Sequence, residues 1–296
     1  MLSGNILTCK WRGRVVARRI FLTAALLVLA GCTTTLDKAD TAFKAGQYEK
    51  ALQYYRQVID EEKLKAPELA GLHFKTGRTL EMLGRPDESV EEYRLSIDIK
   101  PDDPAVYIAM ADNLDKLGLF PEEVRALENA LKLDKDNPHT ESMLGTAYAK
   151  LGEMDSAMES FKAAAKHNPT DPENFLSIGL VYDKTGKTKD AIAAWEEAIK
   201  VAPDNETALQ DLGAVYGRLS KHADSAKYYK RLTALKPDAP KFHNLLGAAC
   251  YNAKMYKEAH EEFLTVQKLD PNFPGIQDSI NLANRGMKLS SRAGRK

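Results

Sequence analysis

Cysteine is scarce in this chain: Cys9, Cys32 and Cys250 are the only three in 296 residues. Cys9 and Cys32 fall in or at the end of a basic leader and Cys250 stands alone, which excludes a disulfide framework. Cys250 reads as a small buried apolar residue. Charge of one sign is also lacking, with 42 bases against 42 acids. Residues 1–31 carry Lys10, Arg12, Arg14, Arg18 and Arg19 and no acid, so residues 32–296 hold 37 bases and 42 acids, a formal charge of −5. A mildly acidic body has no basic field to draw it to nucleic acid. No apolar run reaches the ~20 residues that cross a bilayer. The six histidines form no His-x-x-x-His pair and join no Cys/His cluster of zinc spacing. His243 and Cys250 lie two helical turns apart, but two ligands do not make a site. Phosphate-binding loops, dinucleotide fingerprints and nucleophile elbows are missing as well. The acidic doublets, such as Glu196-Glu197, suit solvated helix faces. These absences predict a protein that is not an enzyme, with no metal and no cofactor.

What is present begins with an address. The basic leader is followed by the apolar run Ile20–Ala30 and then by Leu29-Ala30-Gly31-Cys32. Length and flanks fit a signal peptide rather than a membrane span. The terminal motif resembles the lipobox of bacterial lipoproteins, in which the cysteine thiol is acylated and the leader removed. Small residues precede such a cysteine because the peptidase holds an extended chain in a narrow cleft. The resemblance implies lipidation at Cys32, and several acyl chains there anchor stably where one is marginal. Thr33 stands where enteric lipoproteins retained at the inner membrane carry Asp, which implies the outer membrane, facing the periplasm. Ala17-Arg18-Arg19-Ile20-Phe21-Leu22 also resembles a twin-arginine export motif, so two export routes stay open.

Beyond the leader the sequence repeats every 34 residues. Segments starting at 70, 104, 138, 172, 206 and 240 align without gaps, and a looser copy begins at Cys32. The eighth position is small: Ala39, Gly77, Ala111, Gly145, Gly179, Gly213 and Gly247. The twentieth is small in most copies, from Ala51 and Ser89 to Ser225 and Ala259. The twenty-fourth is large: Tyr55, Tyr93, Leu127, Phe161, Trp195, Tyr229 and Phe263. Two small residues let paired helices cross closely while the large one fills the space between them. Pro101, Pro169, Pro203, Pro237 and Pro271 end the second helix of their copies. Gly84, Gly118, Gly152 and Gly186 mark the turn within a pair, where positive φ is needed, and Ser220 and Lys254 replace them later. The third copy departs most, with Glu123 in the small slot and Lys135 for proline.

These positions resemble the tetratricopeptide (TPR) repeat over nearly all of residues 32–273. The resemblance implies an all-α, right-handed superhelical solenoid of about seven helix-turn-helix repeats with a C-terminal capping helix. The expected organisation is a signal peptide over 1–31, a divergent repeat over 32–69, repeats at 70–103, 104–137, 138–171, 172–205, 206–239 and 240–273, and a cap with a basic tail over 274–296. Ile276, Ile280, Leu282 and Met287 are expected to supply the apolar side of the cap.

In TPR proteins the concave face is lined by the first helix of each repeat at positions 2, 5, 9, 12 and 13. The resemblance therefore implies a protein- or peptide-binding groove that includes Phe43, Phe74, Arg78, Met82 and Ile108, then Leu176 and Leu180. The later groove is more polar, with Gln210, Asn244 and Asn252. Position 13 gives a basic row, Lys116, Lys150, Lys184 and Arg218, that suits either an acidic partner or plain solubility. The apolar groove residues suit either a partner or contact with the next repeat. The Lys and Asn clamp by which TPR co-chaperones hold a terminal carboxylate is absent: Phe74, Arg78, Ile108 and Asp112 occupy its places. A lipobox followed by several repeats is similar in architecture to the TPR lipoprotein family of type IV pilus biogenesis. The expected function is a membrane-anchored scaffold that assembles or stabilises an envelope complex by holding a protein or peptide segment; the alternative is an adaptor for peptidoglycan or its enzymes.

Overall fold

The computed structural model describes residues 34–61 and 63–293. The leader and Cys32 lie outside the described residues. The described residues divide into two compact units that part between Ala126 and Leu127. The first contains α1 (Thr35–Lys44), α2 (Tyr48–Glu61), α3 (Ala66–Met82), α4 (Pro86–Ile99) and α5 (Pro104–Lys116), and α6 (Phe120–Leu133) runs through the division. The second holds α7 (Pro138–Leu151), α8 (Met154–His167), α9 (Pro172–Lys184), α10 (Thr188–Val201), α11 (Glu206–Arg218), α12 (His222–Leu235), α13 (Pro240–Asn252), α14 (Tyr256–Leu269) and α15 (Ile276–Ala293). Among the described residues there is no strand, and no helix is long and apolar enough to cross a membrane.

Helix starts are written in short polar residues. Asp103, Asn137, Asp171 and Asn205 each accept a backbone N–H of the helix that follows. Pro104, Pro138 and Pro172 come next, at a position whose N–H has no intrahelical partner. Thr34 and Asp37 cap α1 reciprocally. The extra residues of the loose first copy become an added helical turn: α3 begins at Ala66, four residues ahead of the repeat phase, with Glu68 accepting the Lys65 N–H at 3.0 Å.

Within each pair the small eighth residue lies against the large twenty-fourth. A Cβ added at Gly77, Gly145, Gly179, Gly213 or Gly247 would fall 2.3–2.7 Å from the ring of Tyr93, Phe161, Trp195, Tyr229 or Phe263, respectively. All five rings are buried, and a side chain of that size contributes about 1.5–3 kcal/mol when fully removed from water. The small twentieth residue adds a polar lock where it is serine. Ser89 donates to the Gly77 carbonyl at 2.8 Å and Ser225 to that of Gly213 at 2.6 Å. In the third copy Glu123 stands in this slot, buried and partnered.

The last helix closes the second unit. Ile276, Ile280 and Ala283 occupy the positions that Phe242, Leu246 and Ala249 hold on α13, and all six join one buried cluster. The positions that would receive a further helix carry Gln277, Asn281, Asn284 and Lys288 instead. Leu282 corrects the sequence reading: it is 46% exposed and points away from the core. Leu282 precedes Ala283 by one residue, which turns it about 100° around the helix from the buried row of Ile276, Ile280 and Ala283.

Candidate protein-binding surface

In the first unit α1 and α3 lie side by side, and their exposed faces enclose a hollow of about 290 Å³. Asp40, Phe43, Lys44, Tyr55, Phe74, Lys75 and Arg78 line it. Three of the predicted groove residues, Phe43, Phe74 and Arg78, are thus brought together. Phe43 and Phe74 are half-buried. Phe43 meets Tyr48 edge-on at 5.5 Å and Phe74 tilts against Tyr93 at 5.8 Å. Such aromatic pairs hold the apolar floor in place. Sequence reasoning left out Asp40, Lys44, Tyr55 and Lys75. Asp40 and Lys44 were within its reach, since they hold positions 9 and 13 of the loose first copy.

The rim is charged. Lys75 Nζ lies 2.8 Å from both Asp40 carboxylate oxygens, and the Tyr55 hydroxyl donates to Asp40 at 2.6 Å. Burial pushes the Asp40 carboxyl up, but the hydrogen bonds from Lys75 and Tyr55, with the charges of Lys75 and Lys44, outweigh it and hold the carboxyl below its usual range. Burial, then the bond to Asp40, pushes the Tyr55 phenol up. Lys44 makes no ion pair among the described residues. Arg78 lies 3.6 Å from Glu81. Three cations against one carboxylate line an apolar floor, so the hollow suits an apolar side chain with a negative charge beside it.

The remaining predicted residues divide. Met82 is 49% and Leu180 48% exposed. Ile108 is half-buried on α5. Leu176 is a correction: it is buried, in a cluster with Trp195, Ala208 and Leu212. Position 5 of α9 faces α11, and the next copy covers it. The basic row is partly an internal device. Lys116 bonds Glu81 at 3.1 Å and Arg218 bonds Asp183 at 2.5 Å, each reaching from position 13 to an acid at position 12 of the preceding copy. Lys150 and Lys184 are exposed. Of the polar groove residues, Gln210 accepts a bond from Lys241 at 2.9 Å, Asn244 is half-buried and Asn252 is exposed.

Partly buried titratable pairs pin helices to one another. His73 meets Glu92 at 2.7 Å and His243 meets Glu262 at 2.6 Å, the same two positions in the second and seventh copies. His167 meets Glu141 at 2.8 Å. Burial, helped by Glu262 and Glu258, pushes the Cys250 thiol up to about 11, away from the reactive thiolate. Among the described residues no three His, Cys, Asp or Glu side chains converge as they would on a metal ion.

Two family models match the chain. One described as "Tetratricopeptide repeat" matches residues 36–104, 108–172 and 211–274, and one described as "TPR repeat" matches 179–220. No curated protein is significantly similar in sequence. Among solved structures, the C-terminal part of a TPR repeat-containing protein from Cytophaga hutchinsonii is similar with a TM-score of 0.69 at 16% identity, covering 82% of this chain and 98% of its own. A tetratricopeptide repeat protein from Parabacteroides merdae gives 0.60 at 14% identity, over 84% and 97%. MamA from Desulfovibrio magneticus gives 0.53 at 21% identity, over 57% and 95%. At these identities the likeness is one of fold.

Proposed function

The chain belongs to the tetratricopeptide repeat family, whose members mediate protein–protein interactions and scaffolding, and we propose that it is a lipid-anchored scaffold of the bacterial envelope. In this reading Cys32 carries the anchor, in the outer membrane and facing the periplasm. The repeats hold an envelope protein by one of its segments and thereby help assemble or stabilise a complex such as a pilus or secretion machine. The observation that carries the binding part is the hollow between α1 and α3, where Phe43 and Phe74 stay accessible among Lys44, Lys75 and Arg78. Accessible apolar area of this kind is worth roughly 25 cal/mol per Å² to a partner that covers it. The leader and the lipobox motif support the anchoring part.

The test places a photo-crosslinking side chain at Arg78 in the hollow and, separately, at exposed Lys189 on α10. In living cells the Arg78 position should yield a discrete adduct with an envelope protein, and the Lys189 position should not. Lys44→Gln, made in the Arg78 crosslinking chain, should weaken the adduct with little change in melting temperature, because Lys44 is exposed, makes no ion pair among the described residues and only supplements Lys75 at Asp40. Phe74→Ser is the poorer probe, since loss of the Tyr93 contact would also destabilise α3. Equal adducts from both positions, or adducts with peptidoglycan alone, would overturn the proposal.

A further inference from the structure

The second unit ends in a helix longer than closing a stack requires. Helix α15 has 18 residues, whereas α9, α11 and α13 have 13 each. Its core contacts come from Ile276, Ile280 and Ala283 in its first half. Beyond them, Leu282 and Leu289 are seven residues apart, which on a helix sets them within about 20° of one another and roughly 10 Å along the axis. Leu289, at 66%, is the most exposed large apolar side chain among the described residues. Gly286, between the leucines, is buried beneath the ring of Tyr256, which itself meets Tyr251 edge-on at 5.4 Å. Both tyrosines are half-buried. The result is a narrow apolar lip with aromatic rings at its side.

Charge is segregated at the same place. Residues 1–31 and 285–296 each hold five bases and no acid, so 32 bases and all 42 acids lie in residues 32–284, a formal charge of −10. Arg285 and Lys288 are exposed and make no ion pair among the described residues, although Arg56, Lys75, Lys116 and Arg218 do. The acidic body as a whole is repelled by an anionic surface, whereas this segment, with bases and no acid, is drawn to one. A helix with leucines on one side, bases beside them and tyrosines at the edge is suited to the headgroup boundary of a bilayer, where apolar tips enter the acyl layer and long basic side chains reach the phosphates.

We propose that the second half of α15 is a peripheral membrane-docking surface for anionic lipid, with Leu282 and Leu289 inserted and Arg285 and Lys288 on lipid phosphates. It is independent of any lipid at Cys32 and does not rest on the scaffold reading. The chain from Thr33 to Lys296, which carries all fifteen described helices and lacks the lipidation cysteine, is mixed with vesicles of phosphatidylcholine alone or with about one-third phosphatidylglycerol, near the anionic surface charge of a cytoplasmic leaflet. It should float with the anionic vesicles and not with the zwitterionic ones. The double variant Arg285→Glu/Lys288→Glu should lower the partition coefficient by at least about thirtyfold, and Leu282→Ser/Leu289→Ser by about tenfold. Both should melt with the parent, since all four side chains are exposed. Three results would overturn the proposal: no enrichment on anionic vesicles, unchanged partition for either double variant, or displacement by soluble polyglutamate that leaves the leucine variant binding like the parent. The last would assign the surface to an acidic polypeptide.

Discussion

A single methyl group separates Gly179 from a collision with Trp195. The Cβ of alanine there would stand 2.3 Å from the indole Nε1 and 2.5 Å from Cδ1. Trp195 Nε1 is buried and has no hydrogen-bond partner, so the ring is held by packing alone. Gly179→Ala gains about 1 kcal/mol of helix propensity, which the collision exceeds. Gly179→Leu forces the helices apart and should cost about 1–3 kcal/mol or more. Trp195→Ala empties the same contact from the other side, for about 3–5 kcal/mol. Lys189→Ala, on an exposed face, should stay within about 0.5 kcal/mol. Urea denaturation of the four variants measures this order, and equal losses at all positions would refute the pairing of positions 8 and 24. At this scale the sequence was easy to read, since a small and a large residue sixteen positions apart recur in phase. Leu176 was not. Its position on α9 is equivalent to that of Phe74 on α3, and only the packing of α11 shows that it is covered.

Within a helix pair the turn is set by one residue in the left-handed region. Gly46, Gly84, Gly118, Gly152 and Gly186 take φ between 69° and 83°, and Ser220 and Lys254 take 57° and 62° at the corresponding places. The geometry of the turn persists where the glycine does not. A Cβ in this region costs about 1–2 kcal/mol, partly offset because glycine gives the unfolded chain more freedom. Ser220→Gly and Lys254→Gly should therefore each raise stability by about 0.5–1 kcal/mol, read as a higher denaturation midpoint with an unchanged slope. A loss of stability in either would mean that the side chain contributes more to its turn than the strain removes. The same scale explains what the repeat phase concealed. A 34-residue register cannot say that α3 gains a turn before the copy begins, because Lys65 and Glu68 cap it locally. Nor can it say that Lys116 and Arg218 are spent on acids of the preceding copy, because position 12 is acidic in some copies and not in others. Three of the seven residues of the candidate hollow were legible for the same reason: Phe43, Phe74 and Arg78 stood on recognised positions, while Lys75 at position 6 faces it only through the Asp40 ion pair.

For the molecule as a whole, the proposed anchor sits very close to the proposed binding site. Only Thr33 separates Cys32 from Thr34, the cap of α1, and α1 forms one wall of the hollow. Two residues span at most about 7 Å, so an acyl group on Cys32 would hold the first repeat against the bilayer and present Phe43 and Lys44 to partners at the membrane surface. This gives paired expectations. Cys32→Ser should leave an unprocessed precursor that takes no radiolabelled fatty acid, and acylation of that variant would refute the anchor. A flexible Gly/Ser insert of about 20 residues after Thr33, with a typical reach of roughly 25 Å, should leave both acylation and the melting temperature unchanged. Its effect falls on encounter alone: the yield of the Arg78 adduct should drop severalfold, because the hollow no longer waits at the depth where the partner's segment emerges. An undiminished yield would separate the two halves of the proposal, leaving the hollow as a binding site and making its closeness to the lipid irrelevant to what it binds.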